Sequence, residues 1–307
     1  MPASLRELRQ RRKSVATTQK ITRAMELIAA SRIVKADRAA RAALPFTSVL
    51  NRAVAAVAQH SDIDHPLVGE PKHRRRAAVV MFTSDRGLAG GYSTNAIKTA
   101  LRLREKLQGE GLEVVMYVVG RKGADYLGFR QAQMEQTWTG FTDAPTYEKA
   151  AEISDALLER FVQDSDEGGV DEIYAVYTRM VSMLTQTPRV RRLLPIEVVE
   201  EGKDVDKAIE AEGDTPLLYT FEPDPETVLD QLLGLYLRNR VWFYLLEAAA
   251  SELASRQKAM KSATDNAQQL IEKLTTQANQ ARQAQITQEI SEIVGGAGAL
   301  AEANADE

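Results

Sequence analysis

The segment from Ser84 to Tyr92, SDRGLAGGY, has the residue types that could bind an anionic ligand. It follows the apolar run Ala77 to Phe82, which is typical of a buried strand, and precedes a helical pattern from Asn95 to Leu107. Strand-to-helix turns of this kind bind phosphates through their backbone N–H groups. The segment lacks the Gly-Lys-Ser/Thr ending of a P-loop and does not match Gly-x-Gly-x-x-Gly. These mismatches favour a turn without a ligand over an anion-binding cradle.

Other groupings of reactive side chains are weak. The sequence has no cysteine, which excludes disulfides, thiolate ligands and a cysteine nucleophile. Its three histidines are His60, His65 and His73, and no two of them have the i, i+4 spacing that helical metal sites use. No Gly-x-Ser-x-Gly elbow occurs. We therefore expect no catalytic centre, no metal and no cofactor.

The N-terminal segment between Pro2 and Pro45 predicts one long helix. It contains no glycine or proline and is rich in good helix formers. Ser4 and Glu7 have the spacing of a capping box at its start. The helix can continue past Pro45 to about Gln59.

A second long helix is predicted from Pro223 and Pro225 to the glycine pair Gly295 and Gly296. Unbroken, it would measure roughly 100 Å. A compact domain of this chain length has a radius of gyration of only roughly 19 Å. Most of the helix must therefore project from any globular body.

Both long helices carry narrow apolar stripes. A narrow stripe fits one partner helix better than a globular core, so we expect the chain ends to form an antiparallel coiled coil. Because heptads are not sustained, the pair should be loosely wound. The stripe residues are Ile21, Met25 and Ile28 near one end, with Leu270, Leu274, Ala278, Ala281, Ile286, Ile290 and Ile293 near the other.

Between the helices the pattern changes to alternating strands and helices, which predicts a doubly wound, mostly parallel sheet. The fold class is thus α/β with a long coiled coil, divided into shaft helices at 1–60 and 223–296, a central domain at 74–215 and a tail at 297–307. Residues 200–215 read as a loop. The expected strands are Ala77–Phe82, Val114–Val119, Glu172–Tyr177 and Val190–Val199, and the expected helices are Asn95–Leu107 and Tyr147–Val162.

Charge is unevenly distributed along the chain. Eleven Lys or Arg against three Asp or Glu lie between Ala3 and Ala43, although the whole chain carries −4. A basic helix on an acidic protein indicates an acidic partner, with a solvated helix face as the alternative. No apolar run is long enough to span a membrane, and the N-terminus lacks the apolar core of a secretory signal.

The stretch Ala281 to Ala297 is unusually polar for a helix end. A merely solvated face is dominated by Lys and Glu, whereas uncharged hydrogen-bonding groups are dense here, which favours a recognition surface. The polar residues are Arg282, Gln283, Gln285, Thr287, Gln288 and Glu289.

Four segments together resemble the γ subunit of F-type ATP synthases: KITRAMELIAASR (20–32), SDRGLAGGYSTN (84–95), ATDNA (263–267) and RQAQITQEISEIVGGA (282–297). The resemblance covers nearly the whole chain. It implies a non-catalytic rotor shaft whose coiled coil turns inside a ring of α and β subunits. It also implies contacts with the ε subunit and the membrane c-ring, at the cytoplasmic face of a bacterial membrane, with no membrane insertion and no nucleic acid.

The resemblance also implies which residues contact the β subunits. Basic side chains of the N-terminal helix would meet an acidic lever segment, Met25 matches a coupling methionine, and polar residues of the C-terminal helix would form a catch. The residues are Arg9, Arg12, Lys20, Met25, Arg256, Gln283, Thr287 and Glu289.

An acidic segment, residues 164–169, departs from the common family pattern and is similar to an insertion of actinobacterial members. It does not match the calcium-loop pattern, and a hydrated surface loop is the plain reading. Our hypothesis is that Asp164, Asp166 and Glu167 act electrostatically on a neighbouring subunit and damp ATP hydrolysis. The absence of cysteine rejects the chloroplast branch, and a bacterial, actinobacterial source fits the remaining features.

Two alternatives remain open from the residues alone. One is a nucleotide-binding α/β enzyme with helical arms, which would use the turn at Gly90 and Gly91. The other is a coiled-coil scaffold that binds nucleic acid through the basic N-terminal helix, which would show a steep salt dependence.

Overall fold

The computed structural model describes residues 4–60, 74–164, 167–196, 222 and 224–303. The chain forms two compact units, one made of Met1–Ile28 with Ala259–Glu307 and the other of Ala29–Lys258. The elements in chain order are α1 (Leu5–His60), β1 (Arg76–Phe82), α2 (Tyr92–Gly109), β2 (Glu113–Val119), α3 (Arg121–Phe129), β3 (Gln136–Trp138), α4 (Tyr147–Val162), β4 (Glu172–Met180), β5 (Gln186–Leu194) and α5 (Pro225–Ala303).

The predicted first helix is confirmed, including its start. Ser4 N donates to Glu7 Oε2 (2.9 Å) and Glu7 N donates to Ser4 Oγ (3.3 Å), which is the reciprocal pattern of a capping box. The helix continues through Pro45 to His60.

The unit of Ala29–Lys258 is built on one five-stranded sheet with the order β3-β2-β1-β4-β5. All neighbours are parallel except β4 and β5, so the predicted mostly parallel α/β sheet is confirmed. Both faces are covered, as parallel sheets require. Apolar residues of α2 and α3 pack on one face, and residues of α4 and of the α1 and α5 segments of this unit pack on the other.

We call strands β1 to β5 and helices α2 to α4 of this unit the sheet domain. Three parts of it differ from the sequence prediction. Helix α3 and the three-residue strand β3 were not predicted, because both are short. Strand β5 was expected at Val190–Val199 but lies at Gln186–Leu194, directly after a tight turn from β4. Pro188 sits inside β5, which is tolerated because β5 is an edge strand.

The unit of the two chain ends is an antiparallel helix pair. Leu8 clusters with Leu274 and Ala278, whereas further along α1 Thr22 Oγ1 lies 2.8 Å from Thr264 Oγ1. Partner numbers fall as α1 numbers rise, which confirms the predicted antiparallel arrangement.

The α5 stripe from Leu270 to Ala281 is confirmed, but the predicted α1 stripe is wrong in part. Ile21 and Ile28 are 56% and 55% exposed, and Thr22 and Glu26 are buried instead. These polar side chains can be buried because Thr22 bonds Thr264 and Glu26 pairs with Arg23.

The end of α5 also differs from the prediction. The helix was expected to stop at Gly295 and Gly296 but continues to Ala303. A helical glycine costs only about 1 kcal/mol relative to alanine, and the alanine-rich sequence that follows favours helix. Ile286, Ile290 and Ile293 are exposed, so the predicted stripe has no partner within the described residues there. Residues 200–215 lie outside the part of the chain that the structure describes.

Candidate partner surfaces and the glycine-rich turn

The glycine-rich turn leaves the carboxyl end of β1, at the point where doubly wound sheets bind ligands. Asp85 in this turn accepts hydrogen bonds from the backbone N–H groups of Arg121 (3.0 Å), Gly140 (2.7 Å) and Thr142 (3.0 Å). Burial alone would raise the pKa of Asp85, but these bonds outweigh it and hold the pKa below its ordinary value. Three backbone donors of the neighbouring loops are thus bonded to the chain's own carboxylate.

The carbonyl side of the same turn is bonded to α5. Arg256 Nη2 donates to the carbonyl oxygens of Arg86 (3.3 Å) and Gly87 (3.4 Å) and lies 2.6 Å from Glu252 Oε1. Burial raises the pKa of Glu252, against the opposing effects of Arg256 and the Thr142 hydroxyl. The turn is therefore a contact between the sheet and a helix of the same chain.

A close approach of backbones fixes the loop beside the turn. Gly120, at the end of β2, has φ 97°, and a Cβ there would lie 2.2 Å from the carbonyl oxygen of Thr83. Thr83 Oγ1 donates to Val119 O (2.9 Å) and accepts from Gly123 N (3.0 Å). Only glycine fits this position, so β1 and β2 end side by side and present their turns together.

Most of the predicted contact residues are exposed on the two chain ends. Met25 is half-buried. Thr287 Oγ1 donates to the carbonyl of Gln283 one turn earlier (3.0 Å), and Glu289 accepts from Gln285 Nε2 (3.0 Å). The exposed ones are Arg9, Arg12, Lys20, Gln283, Thr287 and Glu289.

Arg256 is the exception among these residues. It is 7% exposed, and its bonds are made within the unit of Ala29–Lys258. The family resemblance grouped it with the exposed contact residues, and the charge pattern around it was not used to separate it. The signal was present, since Glu252 and Arg256 are charges four residues apart within an otherwise apolar and small-residue stretch.

The C-terminal stretch of α5 packs against none of the described residues of the chain. From Arg282 to Gly295 every residue is exposed. The side-chain hydrogen bonds there run along the helix itself. Isolated helices in water are marginal, so this stretch needs contacts from elsewhere to be well formed.

The described residues of the acidic segment, 164 and 167–169, follow α4 and are bonded to one another and to Gln163. Asp164 O accepts from the N–H groups of Glu167 (3.0 Å) and Gly169 (2.9 Å), and Gln163 Nε2 donates to Glu167 O (2.8 Å). A Cβ at Gly169 would lie 1.9 Å from Gln163 O, so only glycine fits there. Asp164 and Glu167 are exposed, and Asp166 lies outside the described residues.

The described residues contain neither a cluster suited to a metal ion nor a helix suited to a membrane. Within those ranges, no group of three or more His, Asp or Glu side chains is arranged to hold a metal ion. Over the same part of the chain, no helix is long and apolar enough to cross a membrane.

Comparison with known sequences gives a consistent family. A family model described as ATP synthase matches residues 4–300. An ATP synthase gamma chain of Cutibacterium acnes is 55% identical and covers 98% of both chains. Those of Nocardioides sp. and Thermobifida fusca are also 55% identical and cover 99% of both. Many of the named relatives are actinobacterial.

Solved structures with the same fold come from ATP synthase rotors. A chain of the Euglena gracilis mitochondrial ATP synthase rotor matches with a TM-score of 0.64 at 15% identity, covering 92% of this chain and 98% of its own. A chain of the Tetrahymena thermophila mitochondrial central stalk and c-ring matches with a TM-score of 0.54 at 20% identity, covering 79% and 99%.

Proposed function

We propose, since this chain belongs to the ATP synthase gamma chain family, that it is the central rotor shaft of an F-type ATP synthase. In this role it catalyses no reaction itself. It couples proton flow through the membrane c-ring to ATP synthesis at the β subunits, by contacting their different states with different faces.

One observation carries the proposal beyond family membership: α5 has an exposed stretch, Arg282 to Gly295, that packs against nothing in the described chain. Exposed apolar residues in it, including Ile293 and Val294, favour burial by other proteins over permanent hydration. A surrounding ring of α and β subunits would supply that burial. Contacts of the sheet domain with the ε subunit and the c-ring, on the cytoplasmic side of the membrane, complete the proposed assembly.

Six exposed residues and half-buried Met25 are the proposed β-subunit contacts. The basic ones meet acidic groups, and the polar ones of α5 form the catch. They are Arg9, Arg12, Lys20, Met25, Gln283, Thr287 and Glu289. The predicted direct contact of Arg256 stays a prediction, and its partners inside the chain support a different role.

The main test is stoichiometry and dependence. The chain should co-purify in single copy with a threefold ring of ATP-binding subunits. Membrane vesicles from cells that lack it should show neither ATP synthesis nor ATP-driven proton pumping, and the wild-type chain should restore both. Recovery of several copies per ring, or undiminished ATP synthesis without the chain, would refute the proposal.

A charge reversal tests the contact residues. Arg12→Glu should reduce ATP synthesis, because it places a negative charge against acidic β-subunit groups. Arg102→Glu, the same change at an exposed position of α2, is the matched control. Equal effects of the two variants on synthesis would remove Arg12 from the contact surface.

We propose that the acidic segment, residues 164–169, slows ATP hydrolysis. The triple variant Asp164→Asn, Asp166→Asn and Glu167→Gln removes its charge while leaving Gly169 in place. Hydrolysis by the complete enzyme should rise while synthesis stays unchanged. Unchanged rates in both directions would end this hypothesis.

The alternative function, a nucleotide-binding enzyme, gains no support from the glycine-rich turn. Asp85 of the turn is bonded to a neighbouring loop at Gly140, and Arg256 is bonded to the carbonyl of Arg86.

A further inference from the structure

Arg256 and Glu252 form a buried ion pair that also contacts the sheet domain. The residues are 7% and 1% exposed. Besides facing Glu252, the Arg256 guanidinium donates to two carbonyl oxygens of the turn, those of Arg86 and Gly87. Breaking such a pair from one side leaves the other charge buried and unpaired, so the contact resists separation.

The place of this pair in the fold is informative. β1 is the strand at which the sheet order reverses, since β2 and β3 lie on one side of it and β4 on the other. In this fold a ligand ordinarily enters the crevice outside the strands at that point. Here the turn after β1 instead receives the guanidinium of α5.

The turn after β1 is also bonded to the rest of the sheet. Asp85 bonds the backbone at Arg121, after β2, and at Gly140, after β3. In the next residues, Asp143 Oδ2 lies 2.8 Å from Arg32 Nη1 of α1. Both long helices thus reach the carboxyl edge of the sheet through an arginine.

We propose that Arg256, held by Glu252, is a positioning residue that prevents α5 from rotating relative to the sheet domain. Torque can then pass between the helix and the sheet domain. This inference rests on the proposed rotor function. The hydrophobic effect is not directional, so it does not by itself fix the rotational setting of the helix. A charge-assisted bond from a planar guanidinium to fixed backbone carbonyls is directional and opposes it.

The test uses the complete ATP synthase in inverted membrane vesicles. ATP hydrolysis and ATP-driven proton uptake are measured together, first as initial rates before a gradient has formed and then against a full gradient imposed beforehand. The double variant Glu252→Gln with Arg256→Gln removes both charges, so that neither is left buried alone. Its protons-per-ATP ratio should equal the wild-type ratio at low gradient and fall severalfold at full gradient.

Arg238→Gln is the matched control. Arg238 also ties α5 to the sheet domain, through Asp155 of α4 (2.8 Å), but both side chains are about half exposed. Surface pairs contribute little, so the ratio should be unchanged at every gradient. Should the double variant fail to assemble, Arg256→Lys carries the test, because lysine keeps the charge but removes the guanidinium whose Nη2 makes all three contacts.

A cross-link distinguishes a mechanical contact from general stabilisation. The chain has no cysteine of its own. Arg86→Cys and Arg256→Cys, combined with Glu252→Gln, should reproduce the load-dependent loss. A bismaleimide about as long as an arginine side chain should then restore the ratio at full gradient.

The outcomes separate the two proposals. If vesicles without the chain pump normally, the rotor function itself is wrong. If the wild-type chain is required but the double variant keeps the wild-type ratio at full gradient, or the cross-link fails to restore it, only the lock is wrong.

Discussion

Helix α5 contributes to both units and is buried very differently in each. Up to Lys258 it buries large side chains such as Leu237 and Tyr244 in the main core. From Ala259 to Ala281 its buried residues are mostly small or singly spaced, among them Ala267, Leu274 and Ala278, and from Arg282 to Gly295 none is buried. One helix thus changes from a core element into a segment whose side chains are exposed on all sides.

The comparison shows where the stability of the chain resides. In the sheet domain α5 packs on one face of a closed core, so volume changes there are costly. In the paired ends a narrow stripe and a few polar bonds hold two helices together. The following variants test this difference, beginning with the largest expected effect.

Leu237→Ala should lower the free energy of unfolding by about 2–5 kcal/mol, because Leu237 is fully buried and the deletion leaves a cavity. Urea unfolding followed by fluorescence of the two tryptophans, Trp138 and Trp242, measures it. Ile290→Ala, on the exposed part of the same helix, should stay within about 0.5 kcal/mol of wild type. Similar losses in the two variants would contradict the comparison.

Asp85→Ala should cost about 2–3 kcal/mol, because three backbone donors lose a charged acceptor. The same unfolding measurement applies. Asp85→Asn keeps one oxygen acceptor and should cost less. If both substitutions leave stability unchanged, the carboxyl edge of the sheet is not held by Asp85.

Thr22→Val should destabilise the paired ends by about 1 kcal/mol, because the Thr264 hydroxyl loses its cross-helix partner. Amide hydrogen exchange of residues near Thr264 measures this local loss. Thr22→Val with Thr264→Val should recover most of it, since no polar group is left without its partner. Additive losses in the double variant would show that the two hydroxyls do not interact.

The smallest expected effect is a pH dependence at Glu247. Burial raises its pKa above the ordinary 4.5, against the hydrogen bond from Met180 N and the charge of Arg179. The folded state therefore holds the proton more tightly than the unfolded state, so this group's contribution falls as pH rises from about 4.5 through the folded pKa.

Glu247→Gln should remove that dependence. The stability of the variant relative to wild type should increase between pH 4.5 and neutral pH, measured by urea unfolding at each pH. A difference that is constant over this range would show that the Glu247 pKa is unshifted.

Periodicity and turn residues were enough to predict the long helices, helices α2 and α4 and four of the five strands in approximate position. They failed where local signals conflict with packing. The α1 stripe was placed on Ile21 and Ile28, because sequence alone does not show that Thr22 and Glu26 acquire partners. Gly295 and Gly296 looked like a stop signal, although glycine only weakens a helix.

The turn after β1 could be located from its glycines, but its bonding could not. Asp85 and Arg256 are far apart in sequence and meet only because the sheet brings the turns together and α5 packs beside them. A contact over such a separation leaves no local pattern. The family resemblance, which grouped Arg256 with the exposed contact residues, pointed instead to another subunit.

The contribution of α1 and α5 to one core also constrains how the protein is made. Asn239 Nδ2 donates to Thr47 Oγ1 across a sequence separation of 192 residues, and Leu50 and Val54 share a core with Leu229 and Leu237. During synthesis, the apolar side chains of these N-terminal residues stay exposed until nearly the whole chain has left the ribosome and their core partners are available. Folding of that sheet face is therefore post-translational, and the nascent N-terminal helix is the segment that molecular chaperones would have to shield.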